Sequence, residues 1–125
     1  MTAGFNATAA NAQLNVFRGT SYTGVTAYCK LHVGSAGAVG TTNPSANTTR
    51  NVVTWNAASG GSMTLSSIGT YTMTTTETIT TLSFWDASSG GNFLWSEALS
   101  VPIPVVSGSV IQFTALTLSL TPIAA

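Results

Sequence analysis

The side chains best suited to acid–base, nucleophilic or metal chemistry are few: Cys29, Lys30, His32, Glu77, Asp86 and Glu97. A glycosidase needs two carboxyls flanking one bond, and here they would have to come from Glu77, Asp86 and Glu97. Asp86 sits in a run of turn formers, where a carboxylate bonds nearby backbone amides. Glu97 falls on a predicted strand, where it is expected to face Arg50 or Lys30 across a sheet. A metal centre needs several convergent His, Cys or carboxylate ligands, and the one His and one Cys have no such companions at ligand spacing. No Ser-His-acid pattern and no phosphate loop is present. The sequence therefore assigns no catalytic, metal or cofactor-binding residue, and no enzyme is expected. His32 reads as an exposed or hydrogen-bonded histidine on the polar face of a strand. Cys29 lies in the apolar run from Ala27 to Val33 and reads as a small buried hydrophobe. A single cysteine excludes an intrachain disulfide.

The aromatics Trp55, Trp85, Trp95, Tyr22, Tyr28 and Tyr71 suggest a second chemistry, a stacking platform for sugars. Cross-strand aromatic pairs also stabilise sheets, and a core role is the preferred reading.

The elements that carry these residues are strands. From Thr80 to Trp85, small or polar residues alternate with apolar ones, the signature of a strand with one face buried. Asp86 to Asn92 is a turn, and Phe93 to Leu99 a returning strand, so the stretch is a hairpin with a loop longer than two residues. The device occurs twice. Trp55 to Gly61 matches Trp85 to Gly91 in type at each position, with Asn56 in place of Asp86 and the pair Gly60-Gly61 in place of Gly90-Gly91. These two turns are expected at one end of the same domain.

Further strands are predicted at Val25–Val33, Asn51–Trp55, Ser62–Ile68, the Thr-rich run Gly69–Thr80 and Val110–Leu120, the last with a bulge near Ala115. The Thr-rich run lacks charge over most of its length and suits an edge or interface. Pro102 and Pro104 cannot donate to a ladder, which makes Val101–Pro104 an edge segment. Gly34 to Thr49 is a long polar loop, of a length that is usually functional or ordered by a partner. Residues 1–18 form a short helix, capped by Asn6 or Thr8, or else an extended arm. Residues 19–125 then form one all-β domain, a small antiparallel sandwich or jelly-roll-like barrel of about seven or eight strands.

Composition narrows the partners. Charged residues make up 5% of the chain, three of each sign, and the net charge is zero. Phosphate recognition needs clustered Lys and Arg, so nucleic acid is not an expected partner. Apolar runs are too short to span a bilayer and the N-terminus lacks a secretory pattern, so synthesis in a cytoplasm is expected. A Thr, Ser, Asn, Gly and Ala surface is cheap to desolvate and suits repeated protein–protein contact. Candidate contact residues are Phe5, Leu14, Phe17, Pro44, Tyr71, Pro102 and Pro104.

Three segments, Thr20–Gly34, Asn51–Met63 and Leu82–Leu120, resemble a family of small β-rich virion structural proteins of tailed bacteriophages. The most specific signature is Trp-Asp-Ala-x-x-Gly-Gly-Asn-x-Leu, here Trp85 to Leu94, followed by Gly108 and the Leu-rich end from Leu116 to Leu120. Members carry more acidic residues in the loop corresponding to Gly34–Thr49, where this chain departs. The family's members are labelled head decoration, minor tail or tail-fibre proteins. The resemblance implies a non-enzymatic virion subunit made in a bacterial host. The leading expectation is a capsid decoration (cement) protein whose partners are the major capsid protein and copies of itself, in a trimer. The alternatives are a minor tail or tail-fibre subunit and a carbohydrate-binding module.

Overall fold

The computed structural model describes residues 4–21 and 23–119. Element order is α1 (Ala7–Asn15), a 3-10 turn (Val16–Arg18), β1 (Ala27–His32), β2 (Asn51–Trp55), β3 (Ser62–Ile68), β4 (Tyr71–Thr72), β5 (Glu77–Trp85), β6 (Phe93–Val105), β7 (Val110–Ile111) and β8 (Thr117–Ser119). Among the described residues six strands form one antiparallel sheet in the order β6-β5-β1-β2-β3-β8, which curls into a half-barrel. β4 and β7 pair separately as a two-stranded ribbon.

The hairpins β2–β3 and β5–β6 flank β1. β2 and β5 both run antiparallel to β1, so they share a direction, and both Gly-Gly turns lie at the same end of the sheet.

One face of the sheet carries the main core. β1 presents Ala27, Cys29 and Leu31 to it, all buried. The first two are small, and large rings from the neighbouring strands meet over them. Phe84 of β5 stacks on Trp95 of β6 with centroids 4.4 Å apart and planes 8° apart. Trp55 reaches across from β2 to lie 6.1 Å from each of them. The ribbon covers this face with Tyr71 and Ile111, joined by Met73 and Val105. Tyr71 donates its hydroxyl to the carbonyl of Cys29. Burial pushes the Cys29 thiol up to about 12.

α1 is short, and isolated helices of this length are marginal in water. Tertiary contact holds it. Asn6 caps it, its side chain accepting from the Thr8 N–H at 2.9 Å. Residues 4–6 pair with the outer edge of β6: the Asn6 N–H donates to Leu94 O at 2.8 Å and the Ser96 N–H to Gly4 O at 2.8 Å. Phe5 packs against Trp95, and Ala9 joins the core. The helix thus starts beside β6. Gln13 near its other end lines a small cavity with Met63 and Leu118 of β3 and β8 and with Leu94 and Trp95 of β6, so the helix lies between the two edges of the sheet.

Several expectations need correction. The strand Thr80–Trp85 is not buried on one face only: Thr81, Leu82, Ser83, Phe84 and Trp85 are all buried, because β5 is covered on both sides. The Thr-rich run is not one edge strand. It divides into β4 and the start of β5, an interior strand, and its alternate residues Tyr71, Met73 and Ile79 are core. Val110–Leu120 is likewise two strands, β7 and β8, which pair with different partners, β4 and β3; Leu120 lies outside the described residues. The chain leaves the ribbon at Ile111 and rejoins the large sheet at Thr117, so the shift near Ala115 marks a crossover rather than a bulge. Pro102 and Pro104 do lie on an edge strand, β6.

Phe84 touches both indoles of the stack. Phe84→Ala removes it beneath two indoles and is expected to cost about 3–5 kcal/mol. Urea unfolding followed by tryptophan fluorescence measures this; a loss below about 1 kcal/mol would mean that the stack is not the centre of the core.

Candidate functional site

The second face of the sheet holds the chain's polar chemistry. Register places Tyr28 and Lys30 of β1 on it, opposite Trp85 and Ser83 of β5, with His32 opposite Thr81. The loop after β1 folds back over this face. Its return limb bonds alongside β1, with the Val33 N–H donating to Asn43 O at 2.9 Å and the Ser45 N–H to Leu31 O at 3.1 Å. Gly40, at φ +76°, lies on the rings of Phe93 and Trp85, where a Cβ would come within 2.6 Å of Phe93. Glu77 pins the far end: one carboxylate oxygen accepts from Ser45 Oγ at 2.7 Å and from the Ala46 N–H at 3.2 Å. The loop, read as functional or ordered by a partner, is held by bonds to its own chain.

Beneath it runs a buried chain of hydrogen bonds with one consistent direction. Trp85 Nε1–H donates to Ser83 Oγ at 2.8 Å. His32 Nδ1 lies 2.8 Å from the Thr42 carbonyl, which can only accept, so Nδ1 carries the proton. His32 Nε2 is then the acceptor for the Ser83 hydroxyl at 2.7 Å. The imidazole is neutral and fully buried. Burial is the main cause holding its pKa below the ordinary value, and Lys30 adds to it, against bonds to Thr42 and Asn43 that work the other way. His32 is therefore hydrogen-bonded, as one of the two sequence alternatives had it, and not exposed.

Arg50 closes the site from above. Its guanidinium carbon sits 4.0 Å from the centroid of Trp85, and Nη1 donates to the carbonyls of Ala87 at 3.1 Å and Gly90 at 2.6 Å. The arginine couples the strand bearing Trp85 to the turn that follows it. Within that turn Asp86 accepts from the Asn92 N–H at 2.7 Å and from Asn92 Nδ2 at 2.9 Å. These bonds are the main cause lowering the Asp86 pKa. Gly90 and Gly91 have φ of +63° and +71°. In the sister turn Gly60 and Gly61 have φ of +59° and +81°. Asn56 bonds across the hairpin to Thr64 Oγ1 at 3.1 Å and Leu65 O at 3.3 Å, rather than to its own turn.

Glu97 does not face Arg50 or Lys30. It sits opposite Leu82 on the core side of the sheet, half-buried, and accepts from Trp95 Nε1 at 3.2 Å. Burial raises its carboxyl above the ordinary range. Among the described residues no three His, Cys, Asp or Glu side chains converge.

The proposed contact residues separate into two groups. Tyr71 is buried in the core, and Phe5 is half-buried against Trp95. Pro44 is exposed but bridges to His32 within the loop. Leu14, Phe17, Pro102 and Pro104 are exposed, Phe17 at 92%. The aromatic candidates do not form one exposed platform: Trp85, Trp95 and Tyr71 are buried, Trp55 lies in the core stack, Arg50 covers a face of Trp85, and Tyr28 is half-buried opposite Trp85. Tyr22 lies outside the described residues. Sequence reasoning missed the roles of Ser83, Glu77 and Arg50. The one available signal was their rarity, since a chain with six charges has few ways to use Arg50 and Glu77. No helix among the described residues is long and apolar enough to cross a membrane.

Residues 4–121 match the family model described as "Podophage GP4 fiber I protein gp80". The chain belongs to this family. It is a phage virion structural protein of a fibre-related family. The match spans the turns, the loop and both edges of the sheet, so the whole described fold is the family's unit. No curated protein matches the chain.

Protonation of His32 would leave the Ser83 hydroxyl without its acceptor and place a charge under the loop. Because the folded pKa is depressed, stability is full above the ordinary histidine value of about 6.5 and falls as pH drops below it, until the folded value is passed. The raised Glu97 works in the opposite sense, stabilising at low pH and losing that contribution as pH rises. The difference between wild type and His32→Gln isolates the histidine. Denaturant melts from about pH 7.5 to about pH 5 should show a decline in wild type that the variant lacks. Equal slopes would mean the imidazole is not held neutral.

Proposed function

We propose that this chain is a structural subunit of a virion fibre and works by protein–protein contact rather than by catalysis. The family match over residues 4–121 carries this reading, since the family is described as a fiber protein. Two features support it. The surface is nearly free of charge and built of small polar residues, so it desolvates cheaply on contact. The central strand β5 is closed on both faces by the chain's own elements, as suits a unit that bears load.

The capsid-cement reading, with the major capsid protein as partner, rests on the same composition and has no separate observation in its favour. A sugar-binding role would need a surface other than the three tryptophans, which are buried or engaged in the core. Quantitative mass spectrometry of purified virions separates fibre from cement. A fibre subunit is expected at a copy number well below that of the major capsid protein and to be lost with the tail fraction when particles are broken. A copy number close to that of the major capsid protein, in the head fraction, would overturn the proposal.

A further inference from the structure

The N-terminal segment is held to the sheet at one end only. Residues 4–6 lie along the outer edge of β6. The Ser96 N–H donates to Gly4 O and the Asn6 N–H to Leu94 O, both at 2.8 Å. The Gly4 N–H donates to Ser96 Oγ at 3.3 Å, and Asn6 Nδ2 donates to Ala38 O at 3.3 Å. Phe5 packs on Trp95 with ring centroids 5.9 Å apart. Beyond Asn6 the hold is slight. Ala9 is the one buried residue of α1. Every hydrogen bond made by the described residues from Ala10 to Val25 stays within the segment itself. Cavities of about 480, 270 and 220 Å³ border the helix. The large apolar side chains at its far end gain nothing from the docking, since Leu14 is 66% exposed and Phe17 92% exposed.

The connection to the body of the fold is loose as well. Gly19 turns at φ +89°, and the described residues between it and β1 belong to no helix or strand and are all exposed. A chain of eight residues, the length from Gly19 to Thr26, reaches up to about 26 Å when extended. A segment with few buried apolar contacts and an exposed connection opens at low cost. The groove it leaves fits one sequence: the β6 edge at Leu94 and Ser96, beside the Trp95 ring. A second copy carries that same sequence, so its segment makes the same bonds in the same geometry.

We propose that the N-terminal arm, residues 4–18, is exchanged between copies of this chain, so that the arm of one copy docks along β6 of the next. Exchange keeps every contact the arm makes at home and adds one more. Leu14 and Phe17 stand where the arm passes from one body to the other, and there they are buried between the two. Reciprocal exchange closes a dimer, and sequential exchange makes a ring or a filament. A surface nearly free of charge offers few ion pairs by which copies could recognise one another. The arm supplies that recognition through strand pairing and one aromatic contact. The inference goes beyond the fibre reading and does not depend on it: a copy number that overturned that reading would leave the exchange standing.

Two single variants of the full chain test it. Gly4→Cys adds a side chain where no atom lies within 4 Å, and Ser96→Cys replaces the hydroxyl that faces Gly4. The two positions oppose each other in the antiparallel pairing of Phe5 with Trp95, within reach of a disulfide. Cys29 is fully buried and stays out of the reaction. The two variants are unfolded together, refolded as a mixture at micromolar concentration and oxidised with glutathione disulfide. The expected product is a covalent oligomer whose linked peptides, identified by mass, join position 4 of one variant to position 96 of the other. An arm docked at home covers position 96 and gives no such link. The double variant Gly4→Cys/Ser96→Cys at high dilution checks the geometry by closing the link within one chain. A double variant that closes, with no such link in the mixture, would overturn the proposal. If the double variant does not close, sedimentation velocity of the wild type decides. Wild type should self-associate, and Phe17→Asp, at an exposed position, should weaken association by about tenfold or more with circular dichroism unchanged. A wild type that stays monomeric at millimolar concentration, or association untouched by Phe17→Asp, would equally overturn it.

Discussion

From Thr81 to Trp85, β5 is buried on both faces, and the rest of the molecule follows from how each face is covered. On the core side the small residues Ala27 and Cys29 leave room above β1, and Trp55, Phe84 and Trp95 fill it from the strands on either side. On the other side there is no second sheet among the described residues. The loop between β1 and β2 supplies the cover, held by the neutral His32, by Glu77 and by the fit of Gly40 on Trp85 and Phe93. Each polar group under the loop has a partner: His32 joins Thr42 to Ser83, and Ser83 takes the Trp85 N–H. A buried network of this kind stabilises only when it is complete, which is why a single proton on His32 carries weight.

Half of the few charged residues serve as internal anchors. Arg50 clamps a turn, Glu77 anchors the loop and Asp86 closes its own hairpin. Glu97, half-buried on the core side, takes the Trp95 indole N–H, and Arg18 is exposed. The same economy explains the edges. Residues 4–6 occupy part of the outer side of β6, and prolines block another part, so any further strand is excluded along much of that edge.

Much of this was legible in the residues. Alternation located β1, β2, β3 and the central hairpin, because period-2 burial is a local signal. The paired Gly-Gly turns were visible for the same reason, and their shared end followed once β2 and β5 were both antiparallel to β1. Asn6 was legible as a cap because the preference is set within three residues. What failed was information carried between distant segments. Nothing near Ser83 or His32 tells that a loop will cover them, so β5 was read as half-buried and His32 could not be placed. Glu97 was assigned to the wrong face because its register depends on a pairing with Leu82, fifteen residues away. Tyr71 resembled a surface residue amid threonines and became core because the ribbon folds over β1.

The central claim is that the chain closes its second face by itself, with the 34–49 loop as part of the folded unit. Native-state hydrogen exchange of the purified protein tests it most directly. The amides of Val33, Thr42 and Ser45 are bonded to Asn43, Ala36 and Leu31. The account predicts that they exchange slowly, in the same protection class as the amides of β1 and β5. Exchange of these three at the rate of an unstructured peptide, with β1 and β5 still protected, would contradict it and leave the loop waiting for a partner.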